Sequence, residues 1–214
     1  MYQKISITAF IVTFCVIGLS SIIWPCTGRL RNPLKTLVHL FTLPFLEQKL
    51  SLAGAFRKIV YLVALLCFVV LAITGFYPTL VLGEHISGYL IMIHATFAPI
   101  FAICMAILAV MWARNCRLNN KDWPWFQRLV ERITLMKSTE QPQNKTTCLR
   151  QKISFWLIIF LTLPLALSIV LSMLPYFGTG WQDMFLFIHR YLALIFALVV
   201  IIHTHLIVRA QMKQ

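Results

Sequence analysis

Five apolar runs, at residues 5–24, 59–82, 87–112, 153–175 and 184–208, account for most of this chain, and every charged residue except Arg190 lies outside them. Each run reaches the length of about 20 residues that a helix needs to cross about 30 Å of hydrocarbon. The pattern predicts an all-α integral membrane bundle: a four-helix core preceded by one extra N-terminal transmembrane helix. The organisation divides at the second run, with residues 1–58 as the extra helix and a basic segment, and residues 59–214 as the four-helix domain. Residues 32–50, NPLKTLVHLFTLPFLEQKL, are too short and too charged to span, yet their apolar positions share one helical face. An interfacial helix is expected there, and another at 121–136, where Trp123 and Trp125 suit the headgroup zone. Residues 138–147 read as a polar loop.

Composition supports the membrane reading, because 60% hydrophobic and only 12% charged residues exclude an ordinary soluble core. The formal net charge of +13 would suggest nucleic acid in a soluble protein, but its placement argues otherwise. Six lysines and arginines lie between residues 29 and 58 and nine between 114 and 152, while the connections at 83–85 and 176–183 contain none. The positive-inside rule then places both basic loops in the cytoplasm, the N-terminus outside and the C-terminus inside. A cleaved signal peptide at residues 1–26 is the rival reading. It would leave the basic 29–58 loop facing outward, so a retained helix is expected. The six cysteines form no C-x-x-C pair and no C-x-x-C-H, which points away from zinc, iron–sulfur and covalently attached haem.

Histidines inside the apolar runs carry the chemistry. His94 and His189 each stand six or seven residues into a run entered from outside, about 10 Å deep at about 1.5 Å per residue, on two helices running the same way. Any single intramembrane histidine is accounted for by a hydrogen bond between helices. Two at matched depth are the axial pair that a low-spin b haem needs. Small residues, Ala98 and Ala193, follow four positions after each and would clear room for a flat macrocycle. Arg190 is placed to meet a haem propionate. His203 lies fourteen residues after His189, which at about 100° per residue returns it to the same face about 21 Å further in. That brings it to the level of Tyr61 near the cytoplasmic end, whereas His205 is rotated away.

From about residue 55 to 209 the chain resembles the cytochrome b subunit of membrane-bound formate dehydrogenases and, more loosely, of nickel-iron hydrogenases, within the bacterial cytochrome b561-like group. The matching stretches are G-F-Y-P-T-L at 75–80, His94 with A-T-F-A-P-I-F, K-D-W-P-W at 121–125, Q-K-I-S-F-W at 151–156, P-Y-F at 175–177, and His189 followed at fourteen by His203. The resemblance implies an outer haem b held by His94 and His189, and an inner one held by His203 and a histidine where this chain has Tyr61. It also implies a quinone site before the fourth span. There the family's asparagine and glycine are replaced by Cys148 and Arg150, while Gln151 and Lys152 remain. Quinone contacts are therefore expected from Gln151, Lys152 and Tyr61, and His39 on the basic segment is the expected substitute ligand opposite His203. The alternative for His203 is a hydrogen bond to the quinone.

The expected function is that of an electron-transfer subunit rather than a catalyst on its own. It would carry electrons between a periplasmic iron–sulfur or multihaem cytochrome subunit, with its catalytic subunit, and menaquinone or ubiquinone in a bacterial inner membrane. One haem b is expected and a second allowed for; no nucleic-acid partner is. No nucleophile, paired-carboxylate site or phosphate loop stands out in the sequence. A cofactor-free membrane anchor is the first alternative, and a transporter the second, although the internal repeats usual for transporters are not evident.

Overall fold

The computed structural model describes residues 2–23, 52–113, 116–117 and 146–211 of the 214-residue chain. Most of these residues are helical, with no strand among them: α1 (Tyr2–Ile23), α2 (Leu52–Tyr77) continuing into a π-helical turn (Pro78–Leu82), α3 (Gly88–Ala113), α4 (Thr146–Met173) and α5 (Thr179–Gln211). The segments expected at the interface, 32–50 and 121–136, lie outside the described residues, and His39 with them. Four stretches are long and apolar enough to span: Gly54–Leu82, Gly88–Ala113, Gln151–Met173 and Thr179–Ile207. The apolar part of α1, Tyr2–Gly18, is shorter than these.

The helices outrun the apolar pattern that marked them. α2 begins at Leu52 and α4 at Thr146, each about two turns before the apolar run. Lysine and arginine are good helix formers whose stems lie along apolar surface while their charges reach water, so a helix continues where hydropathy falls. Proline explains the π-turn. Pro78 has no backbone N–H to continue the α-helical ladder, and the helix widens for one turn before Gly83, at φ 71°, ends it in a left-handed cap bonded back to Pro78 O.

α2 packs along α3 and α4 along α5, and the two pairs join where α3 meets α4. The core is a column of Val60, Ala64 and Cys67 from α2, Phe101, Cys104, Met105 and Leu108 from α3, Ile158 from α4 and Phe196 from α5. At its centre Phe68, Phe101 and Phe196 form a three-way aromatic contact with centroids 5.9–6.3 Å apart. Side chains such as Val110, at 80% exposure, and Phe160 and Leu163 cover the outside of the bundle. In water such a surface would aggregate; in lipid it is the expected solvent contact.

The start of α1 sits at the same end of the bundle as the 78–83 turn and the start of α5. Gln3 Nε2 donates to Leu80 O at 3.0 Å, and Tyr2 Oη to Arg190 O at 2.9 Å. This end, called the outer end below, is the one near which His94 and His189 lie.

Candidate functional site

His94 projects from α3 towards α2, where its Nδ1 is 2.9 Å from Thr74 Oγ1. The threonine proton is already donated within its own helix, to Val70 O at 2.8 Å. The oxygen can therefore only accept from the ring, so His94 carries its proton on Nδ1 and keeps the Nε2 lone pair free. Gly75, the next residue, makes room for this placement: a Cβ there would lie 3.3 Å from His94 Cε1.

His189 on α5 is held in the same way by α4. Its Nδ1 is 3.0 Å from Leu165 O and 3.2 Å from Ser168 Oγ, and that hydroxyl donates to Leu165 O at 2.8 Å. Two acceptors face Nδ1, so this ring too presents an unprotonated Nε2. Ala98 and Ala193 are half-buried beside them. Two neutral imidazoles, each fixed in the Nδ1–H form by a partner on the neighbouring helix, are the donor set that low-spin haem iron takes, and such outer partners orient ligands in metal sites generally. The residues present thus fit the cofactor.

Towards the opposite end His203 repeats the device, with Nδ1 2.7 Å from Ser154 Oγ and the serine proton donated to Gln151 O at 3.0 Å. His203 lines a cavity of about 250 Å³ together with Trp112, Cys116, Gln151, Lys152, Phe155 and Ile207. The structure thus brings Gln151, Lys152 and His203 around one space. Gln151 Nε2 donates to Leu206 O at 3.3 Å, tying α4 to α5. Lys152 Nζ donates to Arg117 O at 3.3 Å and Trp156 Nε1 to Cys116 O at 3.0 Å, which anchors the 116–117 segment at the cavity edge. Tyr61 stands one layer back, its ring 5.9 Å from that of Trp112, rather than on the cavity wall. At the outer end Arg190 directs its guanidinium to Nδ1 of the exposed His85. Cys148 and Arg150 fall on α4, with side chains outside the described residues, and no cluster of three or more metal-type side chains occurs among the described ones.

Sequence reasoning passed over Thr74, Gly75, Ser154 and Ser168. A signal for the two serines was present: they are fourteen residues apart on α4, the spacing of His189 and His203 on the antiparallel α5, so both pairs share one register.

Residues 54–214 match the family of prokaryotic cytochrome b561. No curated protein and no solved structure matches the chain. Membership in this family carries haem b with it, and the braced histidines are the groups suited to hold it. The chain belongs to the prokaryotic cytochrome b561 family and is a multi-pass membrane b-type cytochrome that takes part in electron transfer.

Proposed function

We propose that the protein is the membrane subunit of a bacterial inner-membrane respiratory oxidoreductase complex, with His94 and His189 as the axial ligands of one haem near the outer face. It would carry electrons between a periplasmic iron–sulfur or multihaem cytochrome subunit, attached to a catalytic subunit, and the quinone pool. The observation that carries this reading is the paired brace: Thr74 on His94, and Leu165 O with Ser168 on His189. When bound, the haem supplies a reversible one-electron couple. The protein supplies ligand tautomer, depth and a dry surrounding.

The inner cavity suits a quinone headgroup. At about 250 Å³ it falls just below the range of about 300–1,000 Å³ usual for small-molecule pockets, which fits a quinone headgroup whose tail stays in lipid. His203 can hydrogen-bond a quinone oxygen through Nε2, while Gln151 and Lys152 supply the polar end. Menaquinone and ubiquinone both meet these requirements. A second reading rests on the Ser154 brace, which prepares His203 for iron as Ser168 prepares His189; in that case His203 and His39 hold a second haem. A pyridine haemochrome assay on purified protein tests both. One haem per chain, reduced by added quinol and lost with His94→Ala, is the expected result. Two haems per chain would move His203 to the ligand set, and none would leave a membrane anchor without a cofactor.

A further inference from the structure

A hydrogen bond between His203 and an occupant of the inner cavity has a direction, and Ser154 sets it. The serine has one hydroxyl proton and two neighbours, Gln151 O at 3.0 Å and His203 Nδ1 at 2.7 Å. A carbonyl oxygen can only accept, so both bonds form together only when the serine donates to Gln151 O and accepts from the ring. His203 then carries its proton on Nδ1. The nitrogen left for the cavity is a bare Nε2, which accepts and cannot donate.

Gln151 is fixed in the same sense. Leu206 O, 3.3 Å from Gln151 Nε2, can only accept, so the amide turns its nitrogen to that carbonyl and keeps its oxygen on the other arm. Lys152, a donor, is held on Arg117 O at 3.3 Å. Two side chains of the cavity wall, one on α4 and one on α5, thus offer acceptors to whatever enters.

The two oxidation states of a quinone differ in what they can bond. The oxidised ring carries two carbonyl oxygens, which accept; the reduced ring carries two hydroxyls, which donate. An Nε2 lone pair set against a carbonyl oxygen leaves two acceptors in contact, in a space whose other walls are Trp112, Phe155 and Ile207. Unmet acceptors in such surroundings are costly, and a hydroxyl satisfies them. We infer that the inner cavity is a quinol-oxidising site, where His203 Nε2 and Gln151 Oε1 receive the hydroxyls of a hydroquinone and electrons enter the protein. The inference rests on the reading of this cavity as a quinone-headgroup site.

Oxidation of the ring breaks two O–H bonds and releases two protons and two electrons. The proton facing His203 passes to Nε2, and the imidazolium, still bonded to Ser154 through Nδ1, returns it to water at the edge marked by the exposed Arg117. An amide oxygen does not keep a proton, so the second one leaves from Gln151 to water at the same edge. The electrons depart singly to the one-electron couple that haem b supplies. The quinone left behind faces acceptors with acceptors and is released.

The test measures binding with the full, haem-bearing chain kept ferrous, so that no electron moves. The probes are 2-methyl-1-naphthol, which has a hydroxyl to donate, and its methyl ether, which has none. Their dissociation constants are taken by equilibrium dialysis for wild type, Ser154→Ala, Ser154→Thr and His203→Ala; comparing the ether-to-naphthol ratio between variants cancels partition into detergent. The ratio should fall by on the order of tenfold in His203→Ala, the factor one hydrogen bond carries. It should fall also in Ser154→Ala, where the freed ring can present an N–H instead, and stay at the wild-type value in Ser154→Thr. A ratio unchanged in both Ser154→Ala and His203→Ala would overturn the inference, and His203→Ala decides alone if Ser154→Ala does not fold. Loss of haem in His203→Ala, or no saturable binding of either probe to wild type, would instead overturn the quinone-site reading on which it rests.

Discussion

Thr74 and His94 hold one another across the α2–α3 interface: the threonine oxygen faces the ring Nδ1 at 2.9 Å while its proton is fixed on Val70 O. This relationship determines which nitrogen of His94 is offered to a metal. It also polarises the ring, since an accepting oxygen at Nδ1 raises the electron density at Nε2.

Thr74→Val should therefore keep the haem but raise its midpoint potential. A neutral hydrogen bond of about 1 kcal/mol corresponds to a shift of about 40 mV for a one-electron couple. Redox titration of the variant checks this. Ser168→Ala should shift the potential less, because Leu165 O remains as a partner for His189 Nδ1.

Gly75→Ala tests the steric side of the same cradle. The new Cβ would lie 3.3 Å from His94 Cε1, so the ring must move by a few tenths of an ångström. A loss of about 1 kcal/mol and a changed low-spin electron paramagnetic resonance signal are expected, and Gly75→Val should abolish haem incorporation.

The inner cavity gives a separable prediction. Gln151→Leu and Lys152→Met should slow reduction of the haem by added quinol while leaving its spectrum and content unchanged, because both residues stand at the His203 end. Loss of haem in either variant would contradict a purely quinone-side role.

Sidedness is checked by fusion. A reporter active only outside the membrane should be silent at Gln214 and active at the 83–87 connection. The opposite result would exchange the outer and inner ends.

Much of this architecture is legible in the sequence because the membrane makes it so. Apolar runs of fixed length, the concentration of basic residues in two loops and the depth of His94 and His189 all follow from the cost of placing charge in hydrocarbon. The fourteen-residue step from His189 to His203 foretold a shared face, and both rings indeed meet α4. Helix ends were less legible, since α2 and α4 run on through lysine and arginine that a hydropathy scan counts as loop. The braces were missed for a different reason. Serine and threonine inside a membrane helix normally satisfy themselves on their own carbonyls, as Thr162 and Thr204 do. Only tertiary register shows which of them also face a histidine.

The central claim is that His94 and His189 ligate the same iron, and the reduced-minus-oxidised visible spectrum of the two alanine variants tests it most directly. Wild type should show the sharp alpha band of low-spin haem b, and His94→Ala and His189→Ala should each lose the same component of it. Retention of the full wild-type band by both variants would contradict the account.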